Sequence, residues 1–236
     1  VSAVASSLSS YVLQLTLDHA ASRIEAVTLP PADLEEVRAL EIAKANRLDG
    51  SLSPAANRLN GGAGNDAYVV GIGDVVVEQA WEGDDAVVVS AAASTPVRLA
   101  DYPNVENLRL AGTLGNIDAD GSAGANMLIG SLGSNRLDGG DGDDSIFDQF
   151  RDDTLTYYGQ DASADSDLLA GGAGSDTLTT YGGNDTLDGG AGDDRLIVNG
   201  RTDSYYGALA STVTLRLGLG NGFDALTRYN DTLNHY

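Results

Sequence analysis

Short side chains that carry an oxygen recur along the second half of the chain at a nearly constant spacing of nine residues. They are Asn126, Asn135, Asp144, Asp153, Asp167, Asp176, Asp185, Asp194 and Asp203. Carboxylate and amide oxygens are the ligands that hard cations such as Ca²⁺ prefer. A regular series of such side chains therefore predicts a row of metal sites.

A large apolar residue follows each of these side chains two positions later. The set is Leu128, Leu137, Ile146, Leu155, Leu169, Leu178, Leu187, Leu196 and Tyr205. Counting blocks of nine from Gly121 puts the oxygen-bearing residue at position six and the apolar residue at position eight, with an insertion at 157–161. A flexible acidic linker has no reason to place apolar side chains on this schedule.

The elements that must position these side chains follow from the rest of the block. Glycines at positions one, two and four open backbone angles that are closed to other residues, so they predict a tight turn. A short strand with one inward apolar side chain then follows each turn. Two blocks complete one coil, and blocks two apart stack. Carbonyl oxygens and two position-six carboxylates would then form an all-oxygen cation site.

Four segments match the pattern GGxGxDxUx, where U is a large apolar residue: 61–69, 139–147, 171–179 and 189–197. This pattern resembles the calcium-binding nonapeptide of the RTX (repeats-in-toxin) family. The resemblance implies an all-β fold, a right-handed parallel β-roll with β-rich flanking coils. It also implies several Ca²⁺ ions as the cofactor and a secreted bacterial protein that leaves the cell unfolded by type I secretion.

The resemblance assigns metal ligands to this chain residue by residue. The pairs expected to share an ion are Asp176 with Asp194, Asp167 with Asp185, Asp185 with Asp203, and Asn126 with Asp144. The neutral Asn126 and Asn135 turns are expected to bind more weakly or to cap an end. The complete expected set is Asp66, Asn126, Asn135, Gly139, Gly140, Gly142, Asp144, Asp153, Asp167, Gly171, Gly172, Gly174, Asp176, Gly183, Asp185, Gly189, Gly190, Gly192, Asp194 and Asp203.

The composition excludes several classes of function. The chain of 236 residues has 35 Asp and Glu against 13 Lys and Arg, a net charge of −22 and no Cys. Nucleic acid is an unlikely partner for such a chain, because phosphate binding needs a basic surface. Disulfides and Cys-based zinc sites are excluded. No apolar run approaches the roughly 20 residues of a membrane-spanning helix.

Three regions are predicted. Residues 1–120 form a β-rich segment with one GGxGxD turn at 61–66, residues 121–206 form the calcium β-roll, and residues 207–236 add flanking strands. Short strands are expected at 11–17, 68–70, 74–77 and 86–89. Residues 33–45 have helical character and follow Pro30 and Pro31, so a helix is expected there. Asp224 is expected in an Asp-rich turn.

No catalytic residue is predicted. His19 and His235 are the only histidines, and neither lies beside a nucleophile motif. Two functions remain open. The first is a structural, display or assembly module of an adhesin or surface layer that folds on Ca²⁺ at the bacterial cell surface, with self-association or a surface glycan as a further partner. The second is the RTX domain of a secreted enzyme or toxin whose active part lies outside this chain.

Overall fold

Short parallel β-strands make up nearly all the regular structure. A computed structural model of the protein describes residues 11–15, 27–28, 34–39, 45–51, 55–91, 96–149, 165–181, 183–201, 213–216 and 224–231. The other regular elements in these ranges are 3₁₀ turns at Leu99–Asp101 and Gly112–Leu114. None of the described helical turns has the length and apolarity needed to cross a membrane. Two compact units divide the chain: Val1–Ser94 with Leu99–Ala111, and Thr95–Arg98 with Gly112–Tyr236.

The first unit is a coil of two parallel ladders. Its strands, numbered in chain order, are β1 (Tyr11–Leu15), β2 (Val27–Thr28), β3 (Leu34–Ala39), β4 (Arg47–Asp49), β5 (Arg58–Asn60), β6 (Ala67–Val70), β7 (Val75–Val76), β8 (Ala86–Val89) and β10 (Asn107–Leu110). One ladder runs β1-β3-β5-β7 and the other β2-β4-β6-β8-β10. Odd and even strands alternate along the chain, so each turn of the coil adds one strand to each wall.

The second unit repeats this design over more turns. Its strands are β9 (Val97–Arg98), β11 (Ala119–Asp120), β12 (Met127–Ile129), β13 (Arg136–Asp141), β14 (Ser145–Phe147), β15 (Leu168–Ala173), β16 (Thr177–Thr180), β17 (Thr186–Ala191), β18 (Arg195–Arg201), β19 (Thr214–Arg216) and β20 (Ala225–Asp231). One wall runs β9-β11-β13-β15-β17-β19 and the other β12-β14-β16-β18-β20. Every pairing between the described strands of this unit is parallel, so the predicted parallel β-roll is confirmed.

The core is a thin layer of position-eight side chains between the two walls. All seven of the described position-eight residues between 128 and 196 are fully buried, at 0% exposure: Leu128, Leu137, Ile146, Leu169, Leu178, Leu187 and Leu196. Within a wall they stack in register, for example Ile146 on Leu178 and Leu178 on Leu196. Leu155 and Tyr205 lie outside the described residues. Burying a leucine is worth roughly 1.5–3 kcal/mol, so each coil has little apolar stabilisation to spare.

Residues 34–39 form a strand, so the helix expected at 33–45 is wrong for this stretch. The strand β3 pairs in parallel with both β1 and β5, and Val37 lies in register with Leu59. Helix propensity is a weak preference that tertiary pairing overrides when both neighbouring strands offer hydrogen bonds. The strands expected near 11–17, 68–70, 74–77 and 86–89 are confirmed as β1, β6, β7 and β8.

The position of the insertion also differs from expectation. Strand β13 pairs directly with β15, and β14 with β16, so Asp144 and Asp176 are stacking neighbours although 32 residues separate them. Other neighbours, such as Asp176 and Asp194, are 18 residues apart. Fourteen more residues therefore separate Asp144 from Asp176 than separate Asp176 from Asp194. Asp153 lies outside the described residues, and its part in metal binding stays a prediction.

Candidate metal centre

One edge of the second unit carries a ladder of position-six side chains. The backbone N–H of Asn126 donates to Oδ1 of Asp144 at 2.8 Å, and the N–H of Asp144 donates to Oδ1 of Asp176 at 2.8 Å. The same bond joins Asp176 to Asp194 at 3.0 Å and Asp194 to Asp224 at 3.3 Å. Each carboxylate thus lies over the turn of the preceding coil. The structure brings together the expected pairs Asn126 with Asp144 and Asp176 with Asp194.

A second ladder follows the opposite edge of this unit. The N–H of Asn135 donates to Oδ1 of Asp167 at 2.7 Å, and the N–H of Asp167 donates to Oδ1 of Asp185 at 3.0 Å. Asp167 and Asp185 are therefore neighbours, as expected. On the next coil, Val213 is the residue that stacks on Asp185. In this ladder the residue after each stacking neighbour donates its N–H to the preceding coil, and here Thr214 donates to the Asp185 carbonyl at 2.8 Å. Asp203, the expected neighbour, lies outside the described residues, and its part in metal binding stays a prediction.

The second oxygen of the ladder carboxylates on the first edge has no hydrogen-bond partner. This is true of Oδ2 in Asp144, Asp176 and Asp194. These side chains are only 1–2% exposed. Leaving a buried charged oxygen unpaired costs several kcal/mol unless another group compensates for it. A bound cation is such a group, and the series of unpaired oxygens identifies where it would bind.

Turn glycines bring backbone carbonyls to the same place. A Cβ added to Gly171 would collide with Oδ2 of Asp176 and with the carbonyl oxygen of Gly189, and Gly139 and Gly189 face Oδ2 of Asp144 and Asp194 in the same way. Unpaired carboxylate oxygens and turn carbonyls therefore share a cradle that any side chain at position one would fill. This all-oxygen donor set fits Ca²⁺, which takes six to eight oxygen ligands in flexible geometry.

The other expected turn glycines line the same edge, apart from Gly183. The position-two glycines Gly140, Gly172 and Gly190 have positive φ and stack in one column, in which Gly172 and Gly190 each lie against the glycine of the preceding coil. The position-four glycines stack in a second column in the same way: Gly142, Gly174 and Gly192. At φ +111 for Gly172, a side chain would be strained as well as crowded. Gly183 lies on the opposite edge, where an added Cβ would approach Oδ1 of Asp185 at 2.8 Å. Because these stacked glycines let the backbones of successive turns approach closely, they set the spacing between successive ladder carboxylates.

The first unit has a ladder of its own around the expected ligand Asp66. The N–H of Asn46 donates to Oδ1 of Asp66 at 2.7 Å, and the N–H of Asp66 donates to Oδ1 of Asp85 at 2.7 Å. Glu106 continues it by accepting from the N–H of Asp85 at 2.8 Å. Oδ2 of Asp66 and of Asp85 have no partner, as in the second unit.

Several ladder residues are missing from the set derived from the sequence. Asp85 and Glu106 were not assigned because their turns lack the GGxG start, although Asp85 is followed by an apolar residue at the same spacing as in the repeat. Asp224 was expected in an Asp-rich turn, and the apolar Leu226 two residues later was the available signal. Asp148 replaces a turn glycine, and no feature of its block marks it as a ligand.

Burial raises the pKa of the ladder carboxylates well above the ordinary value. The pKa of Asp144 rises from 3.8 to about 7, that of Asp176 to about 6 and that of Asp167 to about 8. Neighbouring carboxylates raise these pKa values further, whereas the backbone N–H bonds of the ladder oppose the rise. Without a cation, the folded roll therefore favours protonated acids.

The metal-free chain is accordingly expected to lose stability as the pH rises from about 4 to about 8. A carboxyl group with a raised pKa in the folded chain contributes stability below its unfolded pKa, and this contribution is lost as the pH passes through the folded pKa. The β-sheet signal in far-UV circular dichroism, recorded in chelator across this pH range, measures the trend, because the folded fraction of the metal-free chain should fall as the pH rises. Because metal binding needs the charged carboxylate, the calcium-saturated control should show the opposite slope. Metal-free stability that increased with pH would contradict the expectation.

Comparison with known proteins agrees with this geometry. A family model described as the RTX calcium-binding nonapeptide repeat matches the chain in four copies, over residues 53–77, 120–147 and 161–196. No curated protein and no solved structure matches the chain. The matched stretches contain Asp66 and the ladder carboxylates Asp144, Asp167, Asp176, Asp185 and Asp194. The chain therefore carries RTX calcium-binding nonapeptide repeats, and they lie within the stacked turns of the parallel roll.

Proposed function

We propose that this chain is a calcium-responsive structural module of an extracellular bacterial protein, which folds after secretion and serves in display or assembly. The observation that carries this function is the row of buried Oδ2 atoms without partners in Asp144, Asp176 and Asp194. In this function the buried acids bind metal and do not catalyse a reaction, since each also accepts a backbone hydrogen bond from the neighbouring coil.

Electrostatic repulsion supports a folding switch. Stacking places like charges one coil apart in a chain of net charge −22. Ordering a residue costs about 1–2 kcal/mol of backbone entropy, and the roll offers one large apolar side chain per block in return. Ca²⁺ that is bound only by the folded chain stabilises it by about 2.7 kcal/mol per site at a hundredfold excess over Kd. Because stacked turns share glycines and carboxylates, binding should be cooperative.

The same switch suits export. Free Ca²⁺ is scarce inside bacteria, so the chain would stay unfolded and competent for type I secretion there. Millimolar Ca²⁺ outside the cell would fold it and prevent its return. RTX repeats are typical of secreted bacterial proteins, which supports an extracellular location and the secretion machinery as a transient partner. The stacked parallel walls would then supply a stiff scaffold for a surface protein.

Far-UV circular dichroism of the whole chain, with and without millimolar Ca²⁺, tests this function. We expect a largely disordered spectrum in chelator and a β-sheet spectrum with a cooperative thermal transition after Ca²⁺ is added. Mg²⁺ at the same concentration is the matched control and should act poorly, because it keeps its waters and demands a tighter octahedron. A β-sheet spectrum and a cooperative melt that persist in excess chelator would rule out the switch.

A further inference from the structure

Two turns of the roll begin with an acid where the repeat has glycine. In the first unit, Leu59 lies in register with Val76, which brings Glu78 to the level of Gly61, the first glycine of a GGxGxD turn. In the second unit, Ile129 lies in register with Phe147, and a Cβ on Gly130 would collide with the carbonyl oxygen of Asp148. Glu78 and Asp148 therefore occupy position one of their turns and add a side-chain carboxylate where the other turns offer only a carbonyl.

In the first unit this acid meets two ladder carboxylates. Asp66, Glu78 and Asp85 each place one carboxylate oxygen within 4.8 Å of the others. Their exposed fractions are 2%, 7% and 1%, and each keeps one oxygen without a hydrogen-bond partner: Oδ2 of Asp66, Oε2 of Glu78 and Oδ2 of Asp85. Three buried carboxylates with three unpaired oxygens are an unstable arrangement without a compensating positive charge.

Tyr68 holds Glu78 in this position. Its side chain is fully buried at position eight, where the described blocks between 121 and 196 have Leu or Ile, and its hydroxyl donates a short hydrogen bond to Oε1 of Glu78. The N–H of Gly61 donates to the same hydroxyl at 2.8 Å. A Cβ on Gly61 would collide with both the Tyr68 hydroxyl and Oδ2 of Asp66, so these groups converge on one point. Tyr68 acts as a positioning residue that leaves Oε2 of Glu78 free.

The second unit contains an independent example of the same arrangement. Asp148, Asp167 and Asp185 also lie with one oxygen each within 4.8 Å of the others, and all three are buried. Asp148 is 1% exposed and its Oδ1 has no partner. The Thr180 hydroxyl lies within hydrogen-bond distance of the carboxylates of both Asp148 and Asp185 and can donate to either, a place comparable to that of Tyr68 beside Glu78. An acid at position one thus generates a three-carboxylate cluster twice in one chain.

Protein cations do not neutralise these clusters in the described residues. The ion pairs seen there go to other carboxylates, namely Asp49, Asp120, Asp138 and Asp188. Oxygens up to 4.8 Å apart are compatible with Ca²⁺, whose ligands lie at 2.3–2.6 Å and can therefore be about 5 Å apart across the ion. A third negative ligand also strengthens binding, because Ca²⁺ affinity follows the charge of the site.

We propose that Asp66, Glu78 and Asp85 form a three-carboxylate Ca²⁺ site, in which a position-one acid is added to a ladder pair and which binds more tightly than the sites of the regular glycine turns, and that Asp148, Asp167 and Asp185 form a second site of this kind. The proposal rests on the calcium-binding function given above and adds to it a site in which a position-one acid replaces a turn glycine. The tight sites would be the first to fill and would order their neighbouring coils.

Calorimetric titration of the whole chain with Ca²⁺ tests this site through Glu78→Gln. The variant keeps the size of the side chain and one acceptor oxygen for the Tyr68 hydroxyl, and it removes one charge and one acceptor. We expect loss of one tight ion, or at least about a tenfold weakening of that class, by the charge dependence of Ca²⁺ affinity. The matched comparison is Glu82→Gln, the same change at a residue of the same turn whose charge acts on Asp66 and Glu78 from outside the cluster, and it should weaken this class of ions much less. Equal titration curves for both variants would overturn the site.

Two further variants keep the test decisive. If Glu78→Gln does not fold at saturating Ca²⁺, Asp148→Asn decides: loss of a tight ion supports the site type, and retention of all ions overturns it. Tyr68→Phe should weaken the tight class of Ca²⁺ ions in the same titration while keeping the calcium-induced circular dichroism, and an unchanged affinity would remove the positioning role. If the unaltered chain folds with Ca²⁺ but the acid variants lose no ion, only the three-carboxylate site fails. If it neither binds nor folds, the proposed function fails.

Discussion

Leu178→Asp should leave the chain unfolded even at saturating Ca²⁺. Leu178 is fully buried at position eight of β16, in register with Ile146 on one side and Leu196 on the other. The substitution removes about 1.5–3 kcal/mol of apolar burial. It also places a carboxylate in the apolar layer, where a charge without a partner costs several kcal/mol more. Together these losses are comparable with the roughly 5–15 kcal/mol that stabilises a typical domain.

Far-UV circular dichroism during a Ca²⁺ titration measures this outcome. Leu187→Asp, in the opposite wall between Leu169 and Leu215, should behave in the same way. Leu132→Asp is the matched control, because Leu132 is 45% exposed and the same change there creates no buried charge. Normal calcium-induced folding of both core variants would remove position eight from the core.

The sequence was sufficient for the parts of the fold that repeat strictly. A position-eight residue such as Leu178 must be apolar because two walls meet there, and a position-six residue such as Asp176 must carry an oxygen because a turn of the preceding coil and a cation both need it. Each requirement leaves a mark at a fixed spacing, so the pattern predicts both the core layer and the ladder carboxylates of regular turns.

Stacking register across irregular turns could not be predicted in the same way. Asp144 lies beside Asp176 because β14 pairs with β16, and that choice depends on the hydrogen bonds between strands. Residues 148–156 have Asp153 at position six and Leu155 at position eight, as the nine-residue repeat requires. The block was therefore expected to stack in the roll like the others. Val213 likewise takes the place expected for Asp203, since β19 is the strand that pairs with β17.

The carboxylates at position one were also beyond the sequence pattern. Glu78 and Asp148 break the glycine rule, and by that rule their turns are degenerate copies. Only the register brings each acid next to two ladder carboxylates. Departures from a repeat are therefore informative once the stacking is known, because an acid that replaces a glycine in the cradle adds a charge to the site.

Asp176→Ala is expected to raise the Kd for Ca²⁺ about tenfold or more. A tenfold change in Kd corresponds to about 1.4 kcal/mol of binding free energy at one site. Asp176 accepts the N–H of Asp144 through Oδ1, and its Oδ2 is buried without a partner beside the Gly189 carbonyl. Alanine would remove a charged ligand and also leave the Asp144 N–H without its acceptor. Because neighbouring sites share this turn, the cooperativity of binding should fall as well.

Asn135→Ala is the comparison and should weaken Ca²⁺ binding less. The Asn135 side chain is neutral, its Oδ1 accepts the N–H of Ser131 at 2.8 Å, and its amide donates to the Gly115 carbonyl at 3.0 Å. Its oxygen is already used within the turn, as expected for a residue that caps the ladder, so its loss should lower folding stability more than metal affinity. Calorimetric titration of both variants gives the order directly. A larger loss of affinity in Asn135→Ala than in Asp176→Ala would contradict the assignment of Asp176 as a charged metal ligand.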